Sequence, residues 1–159
     1  MDLSFQEVAI RLIAAALLSG VIGIERQFRQ KPAGFRTNSL VGLGAALMTL
    51  TGVLASKDLP GVDSTRIASV VVQGIGFIGA GAIIQSAGAI RGLTTAATLW
   101  LAAGIGIACG FGFWQAALLA SVMILIILVI FDPIDARIEE EGEKSKGLFR
   151  NNKFTNKPR

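Results

Sequence analysis

Five apolar stretches dominate this chain and leave it little choice of fold. They run from about Phe5 to Ile24, Leu40 to Ala55, Ile67 to Ile84, Leu93 to Phe113 and Ala116 to Phe131. Once polar flanks are counted, each approaches the roughly 20 residues a helix needs to cross a hydrocarbon core of about 30 Å. None alternates with the period of a strand, and all are too long for strands of a membrane barrel. In lipid every backbone N–H and C=O must be paired within the protein, so helices are the expected spanning elements. With 52% hydrophobic residues, 16% charged residues and 19 glycines, the chain is not a water-soluble monomer, a disordered segment or a disulfide scaffold. The sequence predicts an all-α polytopic membrane protein. A bundle of about five transmembrane helices occupies residues 1–131, and a charged, largely disordered cytoplasmic tail occupies 132–159.

The basic residues set an orientation. Arg26, Arg29, Lys31 and Arg36 follow the first span, Arg91 lies between the third and fourth, and the tail is rich in Lys and Arg. With five spans these fall on one side, and of the 15 Lys and Arg only Arg11, Lys57 and Arg66 fall on the other. The positive-inside rule then puts the N-terminus outside and the C-terminus in the cytoplasm. Met1-Asp2-Leu3-Ser4 lacks the basic start of a signal peptide, and Arg11 interrupts what would be its apolar core, so the first span is expected to remain. Trp114 is placed as an interfacial anchor at the outer end of the fifth span.

The net charge of +4 comes from loops and tail flanking membrane spans and indicates no nucleic-acid partner. The run Gly74-Ile75-Gly76-Phe77-Ile78-Gly79 spells a dinucleotide fingerprint. That motif needs a preceding strand and an acidic residue about 20 positions on, whereas here it lies within a span and no Asp or Glu occurs between Asp63 and Asp132. With no His, no Tyr and one Cys, nucleophilic and acid–base catalysis have little to work with. No catalytic residue, metal ligand or cofactor is assigned. Magnesium favours carboxylate oxygens, and Glu25 is on the opposite side of the membrane from Glu7, Asp58 and Asp63.

Small residues form stripes. Ala15, Ser19 and Gly23 recur at intervals of four in the first span, as do Thr94, Thr98, Ala102, Gly106 and Gly110 in the fourth. The third holds Gly74, Gly76, Gly79 and Gly81. Such faces let helix backbones approach closely, the source of packing energy in lipid. The expected tight centre is therefore helices 1, 3 and 4 with helix 5 outside, unless one stripe faces a second subunit. Gln73, Gly76, Gly79, Ala80, Thr94, Thr95, Thr98, Gly106 and Gly110 are the candidate packing or pore-lining residues. Gly106→Leu is expected to abolish assembly or function, and Gly→Ala to be mild.

Ionisable groups near the membrane carry the functional question. Glu25, Arg26, Arg36 and Arg91 form a candidate charge cluster on the cytoplasmic side. Asp63 and Arg66 form an outer-side pair, Asp63 with Ser64 and Thr65 reading as a helix cap.

Several of these stretches resemble the MgtC/SapB membrane-protein family: Gly23-Ile24-Glu25-Arg26-Gln27, Ala33-Gly34-Phe35-Arg36-Thr37-Asn38-Ser39-Leu40-Val41, Arg66-Ile67-Ala68, Gly74 to Gly81, and Ile90-Arg91-Gly92-Leu93-Thr94-Thr95-Ala96-Ala97-Thr98-Leu99-Trp100. The resemblance implies a multi-pass protein of the bacterial inner membrane with about five spans. It also implies a role in adaptation to low magnesium or acid stress, exerted in some members on other membrane proteins such as the ATP synthase. Virulence-associated members add a cytoplasmic regulatory domain. After Phe131 this chain continues only to Arg159, so it reads as a short form.

Two functions are expected to compete. The first is a non-enzymatic membrane regulator acting through helix–helix contacts, as a homo-oligomer and on another membrane protein. The alternative is a small cation transporter or channel, for Mg²⁺ or another ion.

Overall fold

The computed structural model describes residues 3–59, 61–86 and 89–131. It is all-α, with five helices long and apolar enough to cross a membrane. Helix α1 spans Phe5–Phe28, α2 Phe35–Asp58, α3 Ser64–Ala82 and α4 Leu93–Phe111, and α5 spans Trp114–Phe131. The chain divides into two compact units, Met1–Leu125 and Ile126–Arg159. Of the second only residues 126–131, the end of α5, are described, and the expectation for the tail lies outside the described residues.

Local chemistry sets the helix ends. The Ser4 hydroxyl accepts from Glu7 N–H at 3.2 Å, with the acid in the first turn, where it complements the helix dipole. Asp63 caps α3 by accepting from Thr65 N–H at 2.9 Å. Helix α4 closes on Gly112, whose φ of +86° suits glycine. Gly112 N–H reaches the Cys109 carbonyl at 2.9 Å and Phe113 N–H the Ala108 carbonyl at 2.8 Å, a Schellman closure.

Two elements differ from expectation at their ends. Helix α2 begins at Phe35 rather than near Leu40, which takes Arg36, Thr37, Asn38 and Ser39 into its first turns. Helix α3 stops at Ala82, and Ile84–Ser86 pairs antiparallel with Ala89–Arg91 as strands β1 and β2. The register is Ile84↔Arg91, Gln85↔Ile90 and Ser86↔Ala89. A backbone that leaves a helix at the edge of the hydrocarbon must pair its N–H and C=O groups elsewhere, and this ladder does so.

The tight centre is α1, α2 and α4, not α1, α3 and α4. Gly106 of α4 lies directly against the Gly42 carbonyl of α2, and Gly110 against Thr49 and the Ala46 carbonyl. Gly42 in turn abuts Ser19 of α1, whose hydroxyl donates to the Ala102 carbonyl of α4 at 3.2 Å. Helix α2 supplies Gly42, Ala45, Ala46 and Thr49, small residues at the i, i+3, i+4, i+7 positions of one face. At intervals of four these residues form only the pairs Gly42–Ala46 and Ala45–Thr49, shorter than the stripes of α1 and α4. Helix α3 joins through Ile75, which packs with Ala45 and Ala103. Its glycines, apart from Gly79, make no close helix contact: a Cβ placed on Gly74, Gly76 or Gly81 would meet nothing within 4 Å.

Candidate functional site

The basic end of the molecule gathers part of the expected charge cluster. Glu25 and Arg26 lie in the last turns of α1, and Arg29 follows directly. Glu25 Oε1 is 2.7 Å from Arg29 Nε, an i,i+4 pair, and Glu25 Oε2 is 3.9 Å from an Arg26 guanidinium nitrogen. Arg26 is buried at 4% exposure, so its charge is embedded in the helix packing. Arg36, in the first turn of α2, and Arg91, at the end of β2, are exposed and take no part in the ion pairs among the described residues. The structure thus couples Glu25 to Arg26 and Arg29, and leaves Arg36 and Arg91 as surface cations.

Between these charges the α1–α2 loop is held by a residue that the sequence reading did not single out. Asn38 is fully buried, and its Nδ2 donates to the Ala33 carbonyl and, at 3.2 Å, to the Gly34 carbonyl. The loop needs such a tie because Gln30 and Ala33 adopt φ of +55° and +58°, which is costly for residues with a Cβ. Gly34 then passes so close to α1 that a Cβ on Gly23 would lie 2.5 Å from its carbonyl oxygen. An amide one turn into a helix, after Ala-Gly, was the available signal.

At the opposite end lies Arg11, in the sequence a minority charge on the far side and an interruption of the first apolar run. Arg11 is buried at 9% exposure, and its guanidinium donates to the Gly110 carbonyl at 2.8 Å and pairs with Glu7. The last carbonyls of α4 carry the negative end of its dipole, so a cation is favoured there. This contact ties α1 to α4 across ninety-nine positions of sequence.

The outer-side pair resolves into a cap. Asp63 accepts from the Thr65 hydroxyl at 2.6 Å as well as from its N–H, and these bonds, with smaller help from Arg66, hold its carboxyl below the ordinary carboxylate range. A depressed folded-state value means the cap stabilises the protein above the ordinary Asp value near 3.9 and is lost as pH falls through the lower folded value. Asp63→Asn, which keeps an accepting oxygen, is expected to remove that acid dependence while leaving stability at neutral pH almost unchanged, as thermal unfolding at pH 3 and pH 7 will show.

The candidate packing residues separate into two groups. Gly79, Thr95, Thr98, Gly106 and Gly110 are buried. Gly79 meets Ala96 at 3.7 Å, and the Thr98 hydroxyl donates to the Thr95 carbonyl at 2.8 Å. Gln73, Gly76, Ala80 and Thr94 are exposed. The first three, with Ser69, share one face of α3, and the Gln73 amide makes no hydrogen bond among the described residues. Beside this face an apolar cavity of about 650 Å³ opens between α2 and α3, lined by Leu40, Gly44, Met48, Val70, Gly74 and Ile78. No group of three or more His, Cys, Asp or Glu side chains lies together among the described residues.

The Gly106 geometry also corrects the expectation that Gly→Ala is mild. Its Cβ would overlap the Gly42 carbonyl and lie 2.9 Å from the Ala45 Cβ, so even alanine forces backbones apart.

Comparison with known proteins agrees with the helices and with the resemblance. The chain is 47% identical over 140 residues to the protein MgtC of Salmonella typhimurium, covering 85% of this chain and 59% of that protein. It is 44% identical over 137 residues to YhiD of Escherichia coli K12, described as "Putative magnesium transporter YhiD", covering 83% of this chain and 64% of that one. An uncharacterized protein of Synechocystis, slr0014, is 40% identical over 146 residues, covering 92% and 61%. The chain thus spans about three-fifths of the length of the curated relatives it matches. No solved structure matches it. The sequence model of the MgtC family matches residues 12–137, nearly the whole helical region, and this multi-pass membrane protein belongs to the MgtC family.

Proposed function

We propose that the protein is a non-enzymatic regulator in the bacterial inner membrane, acting through helix–helix contacts as a homo-oligomer and on another membrane protein such as an ATP synthase or transporter. The basic end faces the cytoplasm on this reading, following the positive-inside rule. The observation that carries it is the outward face of α3, where Ser69, Gln73, Gly76 and Ala80 line up exposed. An amide in mid-span facing hydrocarbon is costly unless it bonds to something. Small residues on either side of it allow a second helix to come close enough to supply that bond. On this reading such regulation acts in adaptation to low magnesium or acid stress.

Disulfide crosslinking in native membranes tests the contact. Gly76→Cys is expected to give a dimer adduct, while Leu47→Cys, also exposed but on α2, gives little. Adding Gln73→Leu to the Gly76→Cys chain is expected to lower the adduct several-fold. Equal adducts at both positions, or none at Gly76, contradict the proposed face.

A second reading, cation transport, is favoured by the description of YhiD and by the magnesium in the family's associations. Gln73, Glu25 and Asp63 are the side chains it would use.

A further inference from the structure

Two adjoining cavities lie where α1 ends and α2 begins, and they differ in chemistry. One, of about 520 Å³, is bounded by Ile24, Phe28 and Phe35 together with Gln27 and Gln30. The other, of about 420 Å³, shares Gln27, Gln30 and Phe35 with the first and adds Lys31, Arg36 and Thr37. The shared residues make them one cleft with an apolar end and a basic end. No acidic side chain lines either part. The backbone adds to the positive character: Gly34, the N-cap of α2, provides no capping side chain, and although Phe35 N–H donates to Gln27 Oε1 at 3.4 Å, the N–H groups of Arg36 and Thr37 keep their partial charge.

From this we infer that the α1–α2 cleft binds an anionic phospholipid, its phosphate held by Lys31 and Arg36 and the start of its acyl chain lying against Ile24, Phe28 and Phe35. The amphipathic pairing selects the ligand. A free phosphate would use the basic part alone, and a zwitterionic lipid would bring its own ammonium group against Lys31 and Arg36. Phe28 is 84% exposed at the point where α1 leaves the membrane, which suits an aromatic ring at the lipid interface. Arg36, given as a member of the charge cluster but outside its ion pairs, gains a role here. The site is independent of the α3 face.

Native mass spectrometry of the purified full chain tests the inference, with phosphatidylglycerol and phosphatidylcholine of identical acyl chains offered together. The expected result is one retained phosphatidylglycerol in strong preference to phosphatidylcholine. Lys31→Gln and Arg36→Gln should each reduce that preference about fivefold, and Ile24→Ser should weaken retention of both lipids. Arg66→Gln, which removes an exposed arginine at the other end, should change nothing. Absence of a preference overturns the inference, and so does an equal loss with Arg66→Gln, which marks a diffuse lipid annulus. Displacement by inorganic phosphate, with Ile24→Ser without effect, overturns it in favour of a simple phosphate site.

Discussion

Gly106→Leu is expected to leave no stably folded protein, whereas Gly104→Leu, two residues earlier on the same helix, is expected to be tolerated. Glycine at 106 brings α4 against the α2 backbone at Gly42 and the Cβ of Ala45. These atoms cannot rotate aside, so a side chain there must push the helices apart. Separation loosens the same interface at Gly110, where a Cβ would already lie 2.7 Å from the Thr49 Cβ, and stretches the Ser19–Ala102 hydrogen bond. Overpacking a core costs about 1–3 kcal/mol where side chains can shift, and with backbone as the obstacle the loss exceeds about 3 kcal/mol. Gly104 points where nothing lies within 4 Å, so leucine there meets no obstacle and improves helix propensity. Thermal unfolding followed by size-exclusion in detergent separates the two. Equal behaviour would mean that α2 and α4 do not meet as described.

Arg11→Ala is expected to be the most damaging change among the charged residues. It removes the donor to the Gly110 carbonyl, leaves Glu7 without its cation and takes a positive charge from the negative end of α4. Glu7 is itself partly exposed and recovers solvation, so the loss is set at about 2 kcal/mol, close to that of one charge-assisted hydrogen bond in a buried setting. Arg11→Lys keeps the charge but cannot serve Gly110 and Glu7 with a planar fork, and should fall between alanine and the parent. Glu7→Gln should cost less than Arg11→Ala, because Arg11 keeps its carbonyl acceptor. If Arg11→Ala melts like the parent, the buried contact is not formed in the membrane.

The fold class was legible in the sequence because spanning lipid demands long apolar helices, and five windows of that length are hard to read otherwise. Which helices form the centre was not. Glycine content pointed to α3, yet glycine permits close approach without requiring it, and Gly74, Gly76 and Gly81 have nothing packed against them within 4 Å. Helix α2 was the missing partner because its small residues form only the short pairs Gly42–Ala46 and Ala45–Thr49 at intervals of four, with no longer stripe to mark the face. The charged end was legible in part. Glu25 and Arg26 are adjacent in sequence and meet, while the role of Arg11 depends on Gly110, and no local pattern announces a contact across so long a separation. Asn38 was hidden for a related reason: its value lies in holding a strained loop, and strain at Gln30 and Ala33 is a property of backbone angles, not of composition.

The inward and outward groups of small residues suggest how family membership and mechanism fit together. Gly106 and Gly110 build the unit, and in the function we propose Gln73, Gly76 and Ala80 present it to a neighbour. A regulator needs both, whereas a conductor needs a polar path. The measurement that tests this account most directly is ion flux into liposomes holding the purified protein, with insertion and oligomeric state determined on the same sample. The account predicts an inserted oligomer that passes no saturable flux of Mg²⁺, K⁺ or H⁺. Saturable flux abolished by Gln73→Leu, Glu25→Gln or Asp63→Asn would contradict it and make the protein a transporter.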